Sequence, residues 1–383
     1  MTFRLADPVR ELRDRAREFA SAEIEPVAHE HDRERRYPTA VVEKAADQGF
    51  LAQRLPADLG GPDRTMLECA VVSEQLWRGD PGIGFAIDMT AFASACHVLA
   101  SYAPDRLRET WVSKLPSADA ITAIAVSEPG AGSDVAGIET RAERDGDEYV
   151  IDGRKAFVGN AQVADVALLF AKTDPGAGAR GISAFLVPTD ADGIAATAMA
   201  DTMGLRACDW GDLVLDGVRV RADALVGTEN RGFYHFMEAL PQARVQVAAG
   251  AVGAAQAAVD RAVEAVRERE RNGRAGETQA LRHELAEMAT RVEAARAITY
   301  RAAALIDAGD DRAGRSASTA KLFATEAAST VADAAIQVHG RAGTHGGNHV
   351  ERYFRDVRAC RIYEGTSEIQ RNIVADALLS AQD

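Results

Sequence analysis

The stretch "ITAIAVSEPGAGSD" (residues 121–134) marks where the texture of this chain changes. Up to about residue 117, alanines, leucines and charges recur at helical spacing, interrupted by "RLPADLGGPD" (54–63), whose prolines and paired glycines break any helix. From Ile121 the signals are those of strands. "ITAIAVS" is a continuous apolar run, "DEYVIDGRKAFVGN" (147–160) alternates around an Asp-Gly turn, and "DVALLFAK", "GISAFLVP" and "DLVLDGVRV" follow at short intervals. After Gly232 the helical period returns. Val245, Ala248, Val252, Ala255, Val259, Ala262 and Val266 step by three and four, as do Leu281, Leu285, Met288, Val292, Ala295, Thr299, Ala302 and Ile306. A third helix is expected over about 316–338, and a fourth from Ser367. The pattern predicts a mainly α protein with a central β domain: an N-terminal helical domain (1–117), a middle β domain of barrel-like form (118–228) and a C-terminal four-helix bundle (229–383).

Charge and composition narrow the function. The chain has 383 residues with 44 basic against 58 acidic, a net charge of -14 that opposes binding to a polyanion, so nucleic acid is not an expected partner. Cys69, Cys96, Cys208 and Cys360 are widely spaced with no C-x-x-C pair, which indicates neither a disulfide framework nor a zinc site and makes a reducing compartment the default. The charged N-terminus lacks an apolar h-region and no stretch reads as long enough to span a membrane, so a cytoplasmic protein is expected.

Two stretches read as decoys. "GAGARG" (176–181) has the dinucleotide spacing, but a strand rather than a helix follows, so no helix N-terminus is there to receive a pyrophosphate. "HEHD" (29–32) places its histidines at i and i+2, on different sides of a helix, and reads as a solvated face rather than a metal site. Two others read as candidates. In "VSEPGAGSD" (126–134) a strand ends at Ser127, and Gly130 and Gly132 allow a tight turn whose N–H groups, with the hydroxyls of Ser127 and Ser133, could cradle an accepting ligand. Glu128 there reads as structural. In "YEGTSEIQ" (363–370), Glu364 precedes Gly365, where a flat ligand could approach the backbone, and Thr366 is placed to cap the next helix. A carboxylate against an apolar ligand has its pKa raised, which suits a general base.

Together with "LPADLGG" (55–61), "AVSEPGAGSDVAG" (125–137), "GRKAFVGNAQVAD" (153–165), "PQARVQVAAGAVGAAQ" (241–256) and "RIYEGTSEIQRNIVA" (361–375), these motifs resemble the acyl-CoA dehydrogenase flavoproteins over nearly the whole chain. The resemblance implies FAD as cofactor and α,β-dehydrogenation of an acyl thioester, from fatty-acid or secondary metabolism, with Glu364 as the base that takes the α-proton. It implies cofactor contacts at Ile124, Val126, Ser127, Gly132, Ser133, Phe157, Val158, Gly159, Thr366 and Glu368, and substrate contacts at Ser133, Arg244 and Gly365. Gln279 is a further implied FAD contact, and Arg269 with the Gln337, Gly340 and Arg341 loop resembles groups that complete the FAD site of a neighbouring subunit, which implies a homotetramer, or at least a dimer. The electron acceptor implied is an electron-transfer flavoprotein or oxygen.

The chain departs from the family pattern in several places. Phe157 replaces a tryptophan, Gly159 a hydroxyl residue close to the flavin N5, Pro241 an aspartate, Asn272 a phenylalanine and Arg341 a glycine. The loss at Pro241 leaves coenzyme A and a carrier protein both open as the acyl carrier. The alternative on the same scaffold is a flavin monooxygenase, which needs no α-proton base.

Overall fold

The computed structural model describes residues 4–199, 201–272 and 279–380. Within them, helices α1 (Asp7–Phe19), α2 (Ala28–Glu34), α3 (Thr39–Asp47), α4 (Met66–Gly79), α5 (Pro81–Met89), α6 (Ala93–Tyr102) and α7 (Asp105–Thr110) precede the change of texture. The Pro- and Gly-broken stretch lies between α3 and α4. It ends at Thr65, whose hydroxyl accepts the Glu68 N–H at 3.2 Å while the Glu68 carboxylate accepts the Thr65 N–H at 2.8 Å, a reciprocal cap that starts α4. The apolar stretch from Pro81 to Tyr102 is long enough to cross a membrane, against the sequence expectation. Here it folds as α5 and α6 with most of its side chains in the core.

Strands β1 (Thr122–Ala125), β2 (Arg141–Asp145), β3 (Glu148–Gly159), β4 (Val166–Lys172), β5 (Ile182–Pro188), β6 (Ile194–Ala198), β7 (Trp210–Arg221) and β8 (Leu225–Val226) form an eight-stranded sheet. Its order is β6-β7-β3-β2-β4-β5-β8, with β1 parallel to β4. β4 and β5 are buried on both faces. Val166, Leu168, Phe170, Ile182 and Leu186 pack toward α6 and the start of the bundle, and Ala167, Leu169, Phe185 and Val187 pack on the other side. That double burial is why these strands read as unbroken apolar runs.

Two local expectations are corrected. β1 ends at Ala125, two residues before Ser127. Asp152-Gly153 is not a turn: β3 runs through it with a register shift against β7, and the chain reverses earlier, at Gly146 (φ 67°). A Cβ on Gly153 would lie 2.5 Å from the Thr140 hydroxyl, so this glycine serves close strand approach rather than reversal.

The bundle consists of α8 (Gly232–Arg271), α9 (Gln279–Asp307) and α10 (Ala313–His339), followed by α11 (His349–Val357) and α12 (Ser367–Leu379). The fourth expected helix is the short α12, packed on α10, and α11 is an addition that the spacing did not announce. α4 lies against α8 at close range: a Cβ on Gly253 would fall 2.0 Å from the Glu74 carbonyl oxygen. α11 is tied in by charge. Arg352 Nε donates to the Asp80 carboxylate at 2.7 Å with both side chains buried, while Asp80 also caps α5 by accepting the Ile83 N–H at 3.0 Å.

Candidate active site

The chain leaves α11 through a short turn, and Glu364 and Gly365 then both adopt left-handed backbone, with φ 55° and 87°. A glutamate there is strained, and strain of that kind survives only where the surroundings hold it. Gln370 Nε2 donates to both carbonyls, of Glu364 at 3.0 Å and of Gly365 at 2.9 Å. Lys321 Nζ, from α10, donates to the Gly365 carbonyl at 2.7 Å. Thr366 then caps α12 by accepting the Ile369 N–H at 3.3 Å. The expectation that Gly365 leaves room for a ligand is corrected. A Cβ there would meet Gln370 Nε2 at 2.7 Å, so the chain itself uses the space.

The Glu364 carboxyl has one buried oxygen, Oε2, with no hydrogen-bond partner. Burial raises its pKa, and the cations of Arg244 and Lys321 pull it partly back. Arg244, on α8, donates from Nη1 to Ser318 Oγ at 3.2 Å, and its buried Nε has no partner. With Pro241 one turn earlier, Glu364 is the acid whose charge acts on this guanidinium. A carboxylate oxygen and a guanidinium N–H, both buried and both unsatisfied, are what a site built for an absent polar ligand leaves behind.

The β domain brings a second group together. The Ala156 N–H donates to the Ser127 carbonyl at 2.8 Å, which sets the strand-exit loop beside Phe157. Phe157 is 66% exposed and left-handed (φ 55°), while Val126 and Val158 are buried and Ile124 is half-buried. Gly132 and Ser133 are exposed, and a Cβ on Gly130 or Gly132 would meet nothing within 4 Å. The loop is therefore open at its two glycines. Glu128 is structural, as read: its carboxylate takes the N–H groups of Glu139 (2.6 Å) and Thr140 (3.0 Å) and pairs with buried Lys155 at 2.7 Å. Aromatic contacts join the two groups. The Tyr363 ring lies 5.1 Å from Phe85, and Phe85 stacks on Trp210 at 5.6 Å, the residue paired with Gly159 across the sheet.

The remaining expected residues stand elsewhere. Arg269 lies in the last turn of α8, Gln279 opens α9, and Gln337, Gly340 and Arg341 close α10. α10 rises about 24 Å between Lys321 and Gln337, at about 1.5 Å per residue, so this group sits at the far end of the bundle from Glu364. Glu368 is exposed on the first turn of α12.

Lys321, Phe85, Trp210 and Met89, whose methyl lies 2.7 Å from where a Cβ on Gly159 would be, were missed, because nothing in their local spacing shows which side chains the fold turns toward the site. The "HEHD" reading is corrected in part. His31 is buried and bonded to the Arg36 carbonyl at 2.7 Å, and Asp32 is buried against Arg355 at 2.8 Å. "GAGARG" is a turn ahead of β5, as read.

Comparison with known proteins agrees with this layout. The N-terminal, middle and C-terminal domains of acyl-CoA dehydrogenase match residues 7–119, 123–218 and 230–379. The chain is 36% identical over 371 residues to a 3-(aryl)acrylate reductase of Clostridium sporogenes, covering 96% of this chain and 97% of that one. Butyryl-CoA dehydrogenase of Megasphaera elsdenii superposes with a TM-score of 0.94 at 30% identity, covering 99% and 100% of the two chains. A solved chain described with the electron transferring flavoprotein of Acidaminococcus fermentans superposes with a TM-score of 0.95 at 31% identity, covering both chains completely. With all three domain matches in order along one chain, this protein belongs to the acyl-CoA dehydrogenase family.

Proposed function

We propose that Glu364 is the general base of this FAD-dependent acyl-thioester dehydrogenase. The observation that carries the reading is the buried, unpartnered Glu364 Oε2 on a strained turn held by Gln370 and Lys321. The α-carbon of the thioester gives its proton to this carboxylate, the β-carbon loses hydride, and the carbon–carbon double bond of a 2-enoyl thioester forms. Arg244, with its free Nε–H, orients the bound thioester. FAD, when bound, supplies the acceptor for the hydride. The open Ser127–Ser133 loop and the exposed Phe157 face fit a flat, hydrogen-bonding cofactor, with Thr366 and Glu368 contributing from α12.

The base must be ionised to act, so the rate of flavin reduction rises with pH as Glu364 loses its proton. Because burial holds its pKa up, the acid limb of an anaerobic flavin-reduction profile is expected above the ordinary glutamate value of about 4.3. A limb at or below that value would contradict the assignment.

Met89 occupies the space beside Gly159: a Cβ there would lie 2.7 Å from the Met89 methyl. That methyl ends a flexible chain and can move. Gly159→Thr is therefore expected to fold, displace Met89, and change the flavin's reduction potential and oxygen reactivity. Spectroelectrochemistry and reoxidation rates identical to wild type would refute it.

The far group of Arg269, Gln279, Gln337, Gly340 and Arg341 completes the FAD site of a neighbouring copy in a homotetramer. Its separation from Glu364 along the bundle supports this reading. Arg269→Ala, which removes a charge-assisted contact, should weaken FAD retention by about 10-fold or more. Light scattering on an FAD-loaded monomer would sink the proposal. Electrons leave to an electron-transfer flavoprotein, as the Acidaminococcus neighbour suggests. A cytoplasmic site accords with four unpaired cysteines.

A further inference from the structure

Lys321 is a fully buried cation on α10 with no part in the proton or hydride transfer. Its only hydrogen bond described is to the Gly365 carbonyl, at 2.7 Å. Five residues further along the same helix, the Glu326 carboxylate takes the Ser367 hydroxyl at 2.8 Å and pairs with Arg361 at 2.9 Å and Arg371 at 3.3 Å. α10 thus grips the Glu364 turn at the backbone of Gly365 and on both flanks, at Arg361 and Ser367. A neutral side chain could donate to a carbonyl equally well, and a buried ammonium is costly where a neutral donor would serve. The charge calls for a reason beyond the hydrogen bond.

We propose that Lys321 is a positioning residue for the dehydrogenation: its ammonium holds the Gly365 carbonyl so that the left-handed Glu364 turn stays formed, and from there its charge serves as a counter-charge to the Glu364 carboxylate. This rests on Glu364 being the base. The groups that act on the ammonium are the Cys360 thiol, the Glu364 and Glu326 carboxylates and the Arg244 guanidinium, and burial brings Lys321 itself down to about 8. Lys321 and Arg244 both favour the ionised form of Glu364. Removing the lysine charge therefore makes ionisation of Glu364 harder. The pH at which the carboxylate becomes a base must rise.

The test is the anaerobic rate of flavin reduction by a saturating acyl thioester across pH, in FAD-loaded full-length Lys321→Met, Lys321→Gln and Lys321→Arg proteins, with thermal unfolding measured alongside. Lys321→Met is expected to lower the plateau rate about 10–100-fold and to move the acid limb up by about one unit, the lower end of the effect of a nearby opposite charge. Lys321→Gln keeps a donor for Gly365 without the charge, so the plateau should recover toward wild type while the limb stays displaced. Lys321→Arg keeps the charge and should return the limb. A limb at the wild-type position in both Lys321→Met and Lys321→Gln, whatever the loss of rate or stability, overturns the counter-charge. A Lys321→Gln plateau no better than that of Lys321→Met overturns the hydrogen-bond role. If instead Glu364→Gln reduces flavin at the wild-type rate, the base assignment fails first and is told apart from either result.

Discussion

Glu364→Gln is expected to slow anaerobic flavin reduction by about 10²–10⁴, the usual cost of losing general-base catalysis. The substitution preserves shape and removes the proton acceptor. The backbone bonds that hold the turn, from Gln370 and Lys321 to the carbonyls of Glu364 and Gly365, do not involve the altered group. FAD content and oligomeric state should therefore be those of wild type, and the thioester should still perturb the flavin spectrum on binding. Replacing an ionisable group by an amide also removes a charge that acts on Arg244 and Lys321, so a change in substrate affinity is expected without rescue of the rate. Stopped-flow bleaching at the wild-type rate would show that another group takes the proton.

The largest stability effect is expected at Arg352. Its guanidinium and the Asp80 carboxylate are both buried at 2.7 Å, and Asp356 lies close enough to act on the same arginine. Arg352→Met removes the cation and strands Asp80 in the interior, where breaking one half of a buried pair costs about 3–5 kcal/mol. The loss should appear in equilibrium urea unfolding followed by circular dichroism. Arg10→Ala, which breaks an exposed pair with Asp7, is the control and should cost about 1 kcal/mol or less. Equal losses in the two variants would mean that the Arg352–Asp80 pair does not tie α11 to α5 as described.

The order of helical, β and helical units was legible because each has its own period, and the strands buried on both faces announced themselves as apolar runs. Glu364 and the Ser127–Ser133 loop were legible through their motifs and the resemblance these carry. What failed were readings that depend on a distant partner. Asp152-Gly153 looks like a turn until Thr140 is seen packed against it. Asp32 looks solvated until Arg355, 323 residues later in the chain, is seen to claim it. Lys321 falls on a helix of ordinary period, and only the path of the chain after α11 brings the Gly365 carbonyl to it. Met89 and Gly159 fill one another's space from different domains, a relation that neither local sequence contains.

The central claim is that a thioester reduces the flavin by losing its α-proton to Glu364. The direct measurement is anaerobic mixing of the FAD-loaded wild-type protein with coenzyme A and carrier-protein thioesters, each with and without deuterium at the α-carbon, following flavin absorbance. Bleaching by at least one thioester is expected, slowed by α-deuteration, with the 2-enoyl thioester as product. A flavin that stays oxidised with every thioester, yet turns over with oxygen once a separate reductant is supplied, would contradict it and favour the monooxygenase.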